Sequence, residues 1–138
     1  MIELLIAAML MQSEPAACHA VPRPAALPAG CAQWRPVGRL ADSALFVDPA
    51  SLRRDGAAFE IALRILYDEP QEEEAMRSGV TIARFDCAAR TRALRRIASY
   101  DGGGTLIEAR AVTGDEADPE PLPSGSPFAG LLTEYCPR

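Results

Sequence analysis

The sequence predicts a mainly β member of the α+β class, an antiparallel meander sheet of about six strands with a short C-terminal helix packed on it. Three observations carry this. Several runs alternate apolar and polar residues with the period of a strand, the cleanest being AFEIALRILYD at residues 58–68. Between the runs lie short reversals rich in Gly, Pro and acids, RRDG, DEPQEEEAMRSG and DGGG, which suit hairpins. The final stretch, SPFAGLLTEYC, instead spaces Phe128, Leu131, Leu132 and Tyr135 along one helical face and opens on Ser-Pro, a helix-start pair. A chain of 138 residues with 49% hydrophobic residues buries one core.

Residues 1–20 read as a leader: Leu4 to Met11 is a short apolar stretch followed by polar and then small residues. No positive charge precedes it and Glu3 interrupts it, so a retained amphipathic helix is the rival reading. The stretch is too short to span a bilayer in a mature chain. Residues 21–32, rich in Pro and Ala without period, form a spacer, and the folded domain covers 33–138.

Within that domain, QWRPVGR offers Trp34 and Val37 to a core, and SALFVD gives a short strand expected to stop at Asp48-Pro49. After RRDG, the run at 58–68 puts Phe59, Ile61, Leu63, Ile65 and Tyr67 on a buried face and Glu60, Ala62, Arg64 and Leu66 on the other. An acidic loop turns the chain into VTIARFDC, another β-branched alternating run. AARTRALRRIASYD fits both periods: Leu94, Ile97 and Ala98 have helical spacing, Arg90, Arg92 and Arg96 strand spacing. DGGG then makes a hairpin into TLIEARAVT, and GDEADPEPLPSGSP is a long loop before the helix.

The four cysteines allow three pairings, and spacing does not choose among them. Position in the elements says more: Cys87 closes a strand and Cys136 closes the helix, so a bridge between them clamps helix to sheet. Cys18 and Cys31 are open to a second disulfide, or Cys18, after two small residues, to lipidation, although Pro15 stands where an acylated cysteine usually has Leu. A zinc site draws on CxxC pairs or histidine, and neither is here, since the single histidine, His19, lies in the leader. No metal or cofactor is expected, and cysteine usage favours an oxidising compartment.

Every basic residue is Arg, and the formal charge is −5, which argues against global attraction to nucleic acid or anionic membrane. Once the leader is gone the chain has neither His nor Lys, which excludes Ser-His-Asp and Cys-His nucleophiles, Schiff bases and the P-loop lysine. Asp86, Asp101 and Glu108 on adjacent strands leave a carboxylate-based hydrolase as a remote alternative, the plainer reading being acids solvated or paired with Arg. Glycines 102–104 lack the following helix of a phosphate cradle.

In their order and spacing, QWRPVGR, ALFVDPASLRRDG, RFDCAART, ASYDGGG and PSGSPFAGLLTEYC resemble the bacterial surface-adhesin protein E family, over roughly residues 33 to 137. The resemblance implies an exported envelope protein built on an antiparallel sheet whose C-terminal helix is held by a disulfide. It implies Cys87 and Cys136 as that bridge, Trp34, Asp48 and Ser51 as structural positions, and strand for RTRALRRIASY. Cys31 is extra to the pattern. The expected function is a non-enzymatic binding or adhesion module in the periplasm or on the outer surface, with or without a lipid anchor, meeting an unknown protein or envelope component. The alternative is a periplasmic structural or stress-related accessory. As a strand, residues 89–100 put Arg90, Arg92 and Arg96 on one outward face with Leu94, Ala98 and Tyr100, a candidate binding surface or one side of an ion-pair network. Glu108 and Arg110 point outward on the next strand if Ile107, Ala109 and Ala111 go in.

Overall fold

The computed structural model describes residues 18, 33–71 and 75–137. Cys31, the rest of the leader and spacer, and the acidic residues 72–74 lie outside the described residues. Six strands follow in chain order: β1 (Arg35–Arg39), β2 (Ser43–Asp55), β3 (Ala58–Gln71), β4 (Met76–Asp86), β5 (Thr91–Asp101) and β6 (Leu106–Ala111). Each pairs antiparallel with the next, so the sheet order is the chain order, a meander. A two-residue strand β7 (Glu120–Pro121) adds to β5 beyond the end of β6, and the helix α1 (Pro127–Tyr135) closes the domain.

The sheet is buried on both sides, where alternation had implied one buried face for β3. Leu45, Val47, Phe59, Ile61, Leu63, Ala83 and Phe85 form one apolar layer with Leu131, Leu132 and Tyr135 of α1. Ala44, Phe46, Ala62, Leu66, Val80, Ala98 and Tyr100 form a second layer on the opposite face, with Trp34 and Cys18 packed into it. Ala62, Arg64 and Leu66, expected outside, are therefore inside, and Arg64 is fully buried with its guanidinium 5.8 Å from the Trp34 ring. An arginine face-on to an aromatic ring is a favourable way to house a cation in an apolar layer.

β2 does not stop at Asp48-Pro49. It bulges between Asp48 and Arg53 and runs on to Asp55. The proline is tolerated because the bulge removes its residue from the ladder. The Ser51 hydroxyl fills the gap, donating to the Asp48 carbonyl at 2.7 Å and accepting from the Ala62 amide at 2.8 Å, while the Asp48 carboxylate accepts from the Ala50 amide at 3.0 Å. Gly56, at φ +60°, makes the following two-residue turn.

The acidic loop is shorter than its composition implies, because β3 extends to Gln71 and β4 begins at Met76. Arg77 fastens this extension, donating from Nε to the Tyr67 carbonyl at 2.9 Å and from Nη2 to the Asp68 carbonyl at 2.9 Å. The ambiguous segment is a strand, β5. At the far hairpin the Asp101 carboxylate accepts from the amides of Gly103 and Thr105, both at 2.9 Å, and Gly104 takes φ +84°. Part of the expected Pro-rich loop is ordered as a 3-10 turn (Gly114–Ala117) and as β7.

Ser126 caps α1 by accepting from the Ala129 amide at 3.2 Å, and Pro127 stands at the first helical turn. No helix among the described residues is long and apolar enough to cross a membrane.

Candidate binding surface

Cys87 and Cys136 are joined by a disulfide that spans 49 residues, with Cα atoms 5.7 Å apart. It fixes the C-terminal end of α1 to the end of β4. Around it, Arg54 Nη1 donates to the Tyr135 carbonyl at 2.5 Å, which places a cation at the negative end of the helix. Arg35 Nη2 bonds Glu134 at 2.6 Å and the Tyr135 hydroxyl at 3.1 Å, and these contacts raise the Arg35 pKa. Phe59 stacks on Phe85 at 5.0 Å and meets Tyr135 at 5.6 Å. The helix lies close over β1: a Cβ on Gly38 would sit 3.3 Å from the Pro127 ring. The helix covers the part of this face formed by Leu45, Val47, Phe59, Ile61, Leu63 and Phe85.

Arg90, Arg92 and Arg96 do not form one surface. Arg90 lies in the β4–β5 turn at φ +56°. Arg92 pairs with Phe85 across the strands and so faces the helix, where its guanidinium covers the Phe128 ring at 4.1 Å and meets Glu120 at 3.8 Å. Arg96 pairs with Ile82 and so faces the opposite layer, as do the buried Ala98 and Tyr100 that were expected outside. The cause is a β-bulge at Arg95: the ladder passes from Ala83–Leu94 to Ile82–Arg96, and the extra residue inverts the alternation.

Most other described arginines are committed internally. Arg39 bonds Asp68 in two places, at 3.0 and 2.5 Å, and this holds the Asp68 carboxyl below its ordinary range. Arg84 bridges Asp55 at 3.0 Å and Glu60 at 3.5 Å. Arg110 bonds Glu108 and Glu116, which lowers the Glu116 pKa. Among the described residues Arg53, Arg90, Arg95 and Arg96 make no ion pair.

The three carboxylates considered for hydrolysis do not converge. Asp86 and Asp101 stand at opposite ends of β5, about 30 Å apart at strand rise, against the roughly 5–9.5 Å that glycosidases use. Asp86 accepts from the Ala89 amide at 2.9 Å, Asp101 holds its own hairpin, and Glu108 is tied to Arg110. No group of three or more potential metal ligands occurs among the described residues.

Among the described residues, the most exposed large apolar side chains lie on β6, an edge strand. Among the described residues its outer edge pairs with no strand, and Leu106 and Ile107, 41% and 36% exposed, are the exposed large hydrophobics. Ile107, Ala109 and Ala111 had been expected to point inward; all three are exposed because neither apolar layer extends over this edge strand. Alternation in the sequence locates the strand but does not tell an edge from a centre.

A family model described as surface-adhesin protein E matches residues 34–137. No curated protein matches the chain. Among solved structures the chain is similar to Haemophilus influenzae protein E, at 13% identity and TM-score 0.56, covering 85% of this chain and 91% of that one. A second crystal form of that protein gives 12% identity and TM-score 0.54, covering 83% and 94%. Protein E from non-typeable Haemophilus influenzae gives 13% and 0.54, covering 82% and 78%. At such identities the structures establish the shared fold, and the match over residues 34–137 establishes the rest: the chain belongs to the surface-adhesin protein E family.

Proposed function

We propose that this protein is an exported, non-catalytic binding module that works at the cell envelope, with a leader at its N-terminus, a spacer over residues 21–32 and the binding domain over 33–138. The observation that carries the reading is the family match over residues 34–137, which takes in every strand and the clamped helix of an adhesin-type surface protein. The chemistry agrees with it. The carboxylates of Asp86, Asp101 and Glu108 serve turns and an ion pair, and the Cys87–Cys136 bridge suits an oxidising compartment. The partner is a protein or another envelope component, and β6 is the part of the domain where a partner meets apolar side chains without displacing a buried layer.

The second reading, a periplasmic accessory without adhesive role, draws on the internal commitment of Arg35, Arg39, Arg84, Arg92 and Arg110, which leaves few charges for a partner. Because the chain has no lysine, labelling intact cells that carry a copy with a Lys-bearing tag, using a membrane-impermeant amine reagent, separates the two. Labelling before the outer membrane is permeabilised supports the surface role, and labelling only afterwards supports the accessory. A cytosolic chain with free thiols would refute both.

A further inference from the structure

Cys18 lies ahead of the matched domain, yet its side chain is 1% exposed and belongs to the layer formed by Phe46, Leu66, Val80 and Tyr100 beneath Trp34. It is also disulfide-bonded. Those two observations bear on how the chain is processed. We propose that Cys18 is kept in the mature protein as a bridge cysteine, so that the leader is cut on the N-terminal side of Cys18 and the Cys18 sulfur is not an acylation site. The proposal rests on the export reading given above.

Two exclusions lead to it. Lipidation joins the cysteine sulfur to a diacylglyceryl group through a thioether, and a sulfur so bonded cannot also be half of a disulfide. The surroundings exclude it as well, because a sulfur on a side chain 1% exposed, within an apolar layer that includes Trp34, Phe46 and Tyr100, has no outlet for two acyl chains. A cut after Ala20, whose small side chain otherwise suits a leader peptidase, discards Cys18 and leaves a hole in the second layer. Ala17, immediately before Cys18, is equally small and preserves it. On the sequence alone, Cys31 is the cysteine left to supply the second sulfur once Cys87 and Cys136 are joined. Forming the bridge removes two protons and two electrons from the two thiols. A disulfide-bearing oxidoreductase of the oxidising compartment takes them up and leaves as its dithiol.

The test is the intact mass of the full chain, with a C-terminal tag, purified from a bacterial host that exports it to an oxidising periplasm. The protein is alkylated with iodoacetamide before and after reduction. The expected product begins at Cys18 or earlier within the leader, takes up no alkyl group before reduction and four after it. In Cys18→Ser, one thiol, that of Cys31, becomes reactive without reduction. If that variant does not accumulate, the masses of the parent decide alone. A diacylglyceryl-sized increment, an N-terminus beyond Cys18, or a Cys18 thiol that alkylates without reduction overturns the proposal and leaves export intact. An uncleaved chain beginning at Met1 with four reactive thiols overturns the export reading and this proposal together.

Discussion

Replacing Cys136 by Ser removes the covalent hold on α1 and should lower stability by an amount the structure fixes. The bridge closes a loop of 49 residues. In the chain-entropy model, opening such a loop gives the unfolded state about 4 kcal/mol. For a folded unit of roughly 100 residues, 1 kcal/mol moves the melting temperature by about 4–8 °C, so the expected fall is on the order of 15 °C or more. The native state loses as well. α1 has nine residues, too few to be helical alone in water, and it is held otherwise by burial of Leu131, Leu132 and Tyr135 and by Arg35 and Arg54. The assay is thermal unfolding of parent, Cys136→Ser and Cys87→Ser/Cys136→Ser, each with and without reductant. The double variant should melt with the single one, because either change opens the same loop. Reductant should bring the parent down towards the variants, and any further shift in the variants reports the bridge at Cys18. A parent that ignores reductant, or a Cys136→Ser protein that melts within about 3 °C of it, would show that the helix is held by packing alone.

Four further outcomes are expected. Ser51→Ala leaves the Ala62 amide without its partner inside the sheet and should cost about 1–3 kcal/mol in urea unfolding. Gly38→Val drives a side chain into the Pro127 ring and should cost about 1–3 kcal/mol, read as a lower melting temperature with the strand signal in circular dichroism kept. Ile107→Lys should change stability by no more than about 0.5 kcal/mol, whereas Ile61→Ala should cost about 2–5 kcal/mol; a reversal of that order contradicts the assignment of β6 as an open edge. Asp68 and Glu116 titrate below their ordinary values in the folded state, so their contribution is complete above the unfolded carboxyl range near pH 4 and is lost as pH falls through the lower folded values. Melting temperature should therefore decline on acidification below about pH 4–5, and less steeply in Asp68→Asn.

Much of this architecture is legible in the sequence because it depends on local period. Phe59, Ile61 and Leu63 alternate strictly, DGGG marks its hairpin, and Ser-Pro opens the helix that Leu131 and Leu132 bury. The failures share one physical origin. Period two assumes an unbroken pleat, and a single extra residue at Arg95 sends Arg92 and Arg96 to opposite faces although their numbers differ by an even count. Asp48-Pro49 reads as a stop for the same reason, since the Ser51 hydroxyl that carries the ladder past the bulge is a tertiary contact. The second buried layer was hidden because Arg64 looks like a solvent-facing residue until the Trp34 ring is placed against it. No local signal reveals that β6 is an edge, and the exposure of Leu106 and Ile107 follows from sheet order alone.

The meander order has a consequence for the timing of assembly. Each of β1 to β6 pairs with its neighbour in sequence, so a chain that crosses a membrane N-terminus first can add strands in the order in which they emerge, without waiting for a distant segment. If the chain is exported as proposed, Cys87 reaches the far side before Cys136. Its native bridge can form only once α1, the last element, has settled on Phe59 and Phe85. Closure of Cys87 onto Cys136 then coincides with completion of the domain, and in an exported chain the intact bridge would mark the end of translocation.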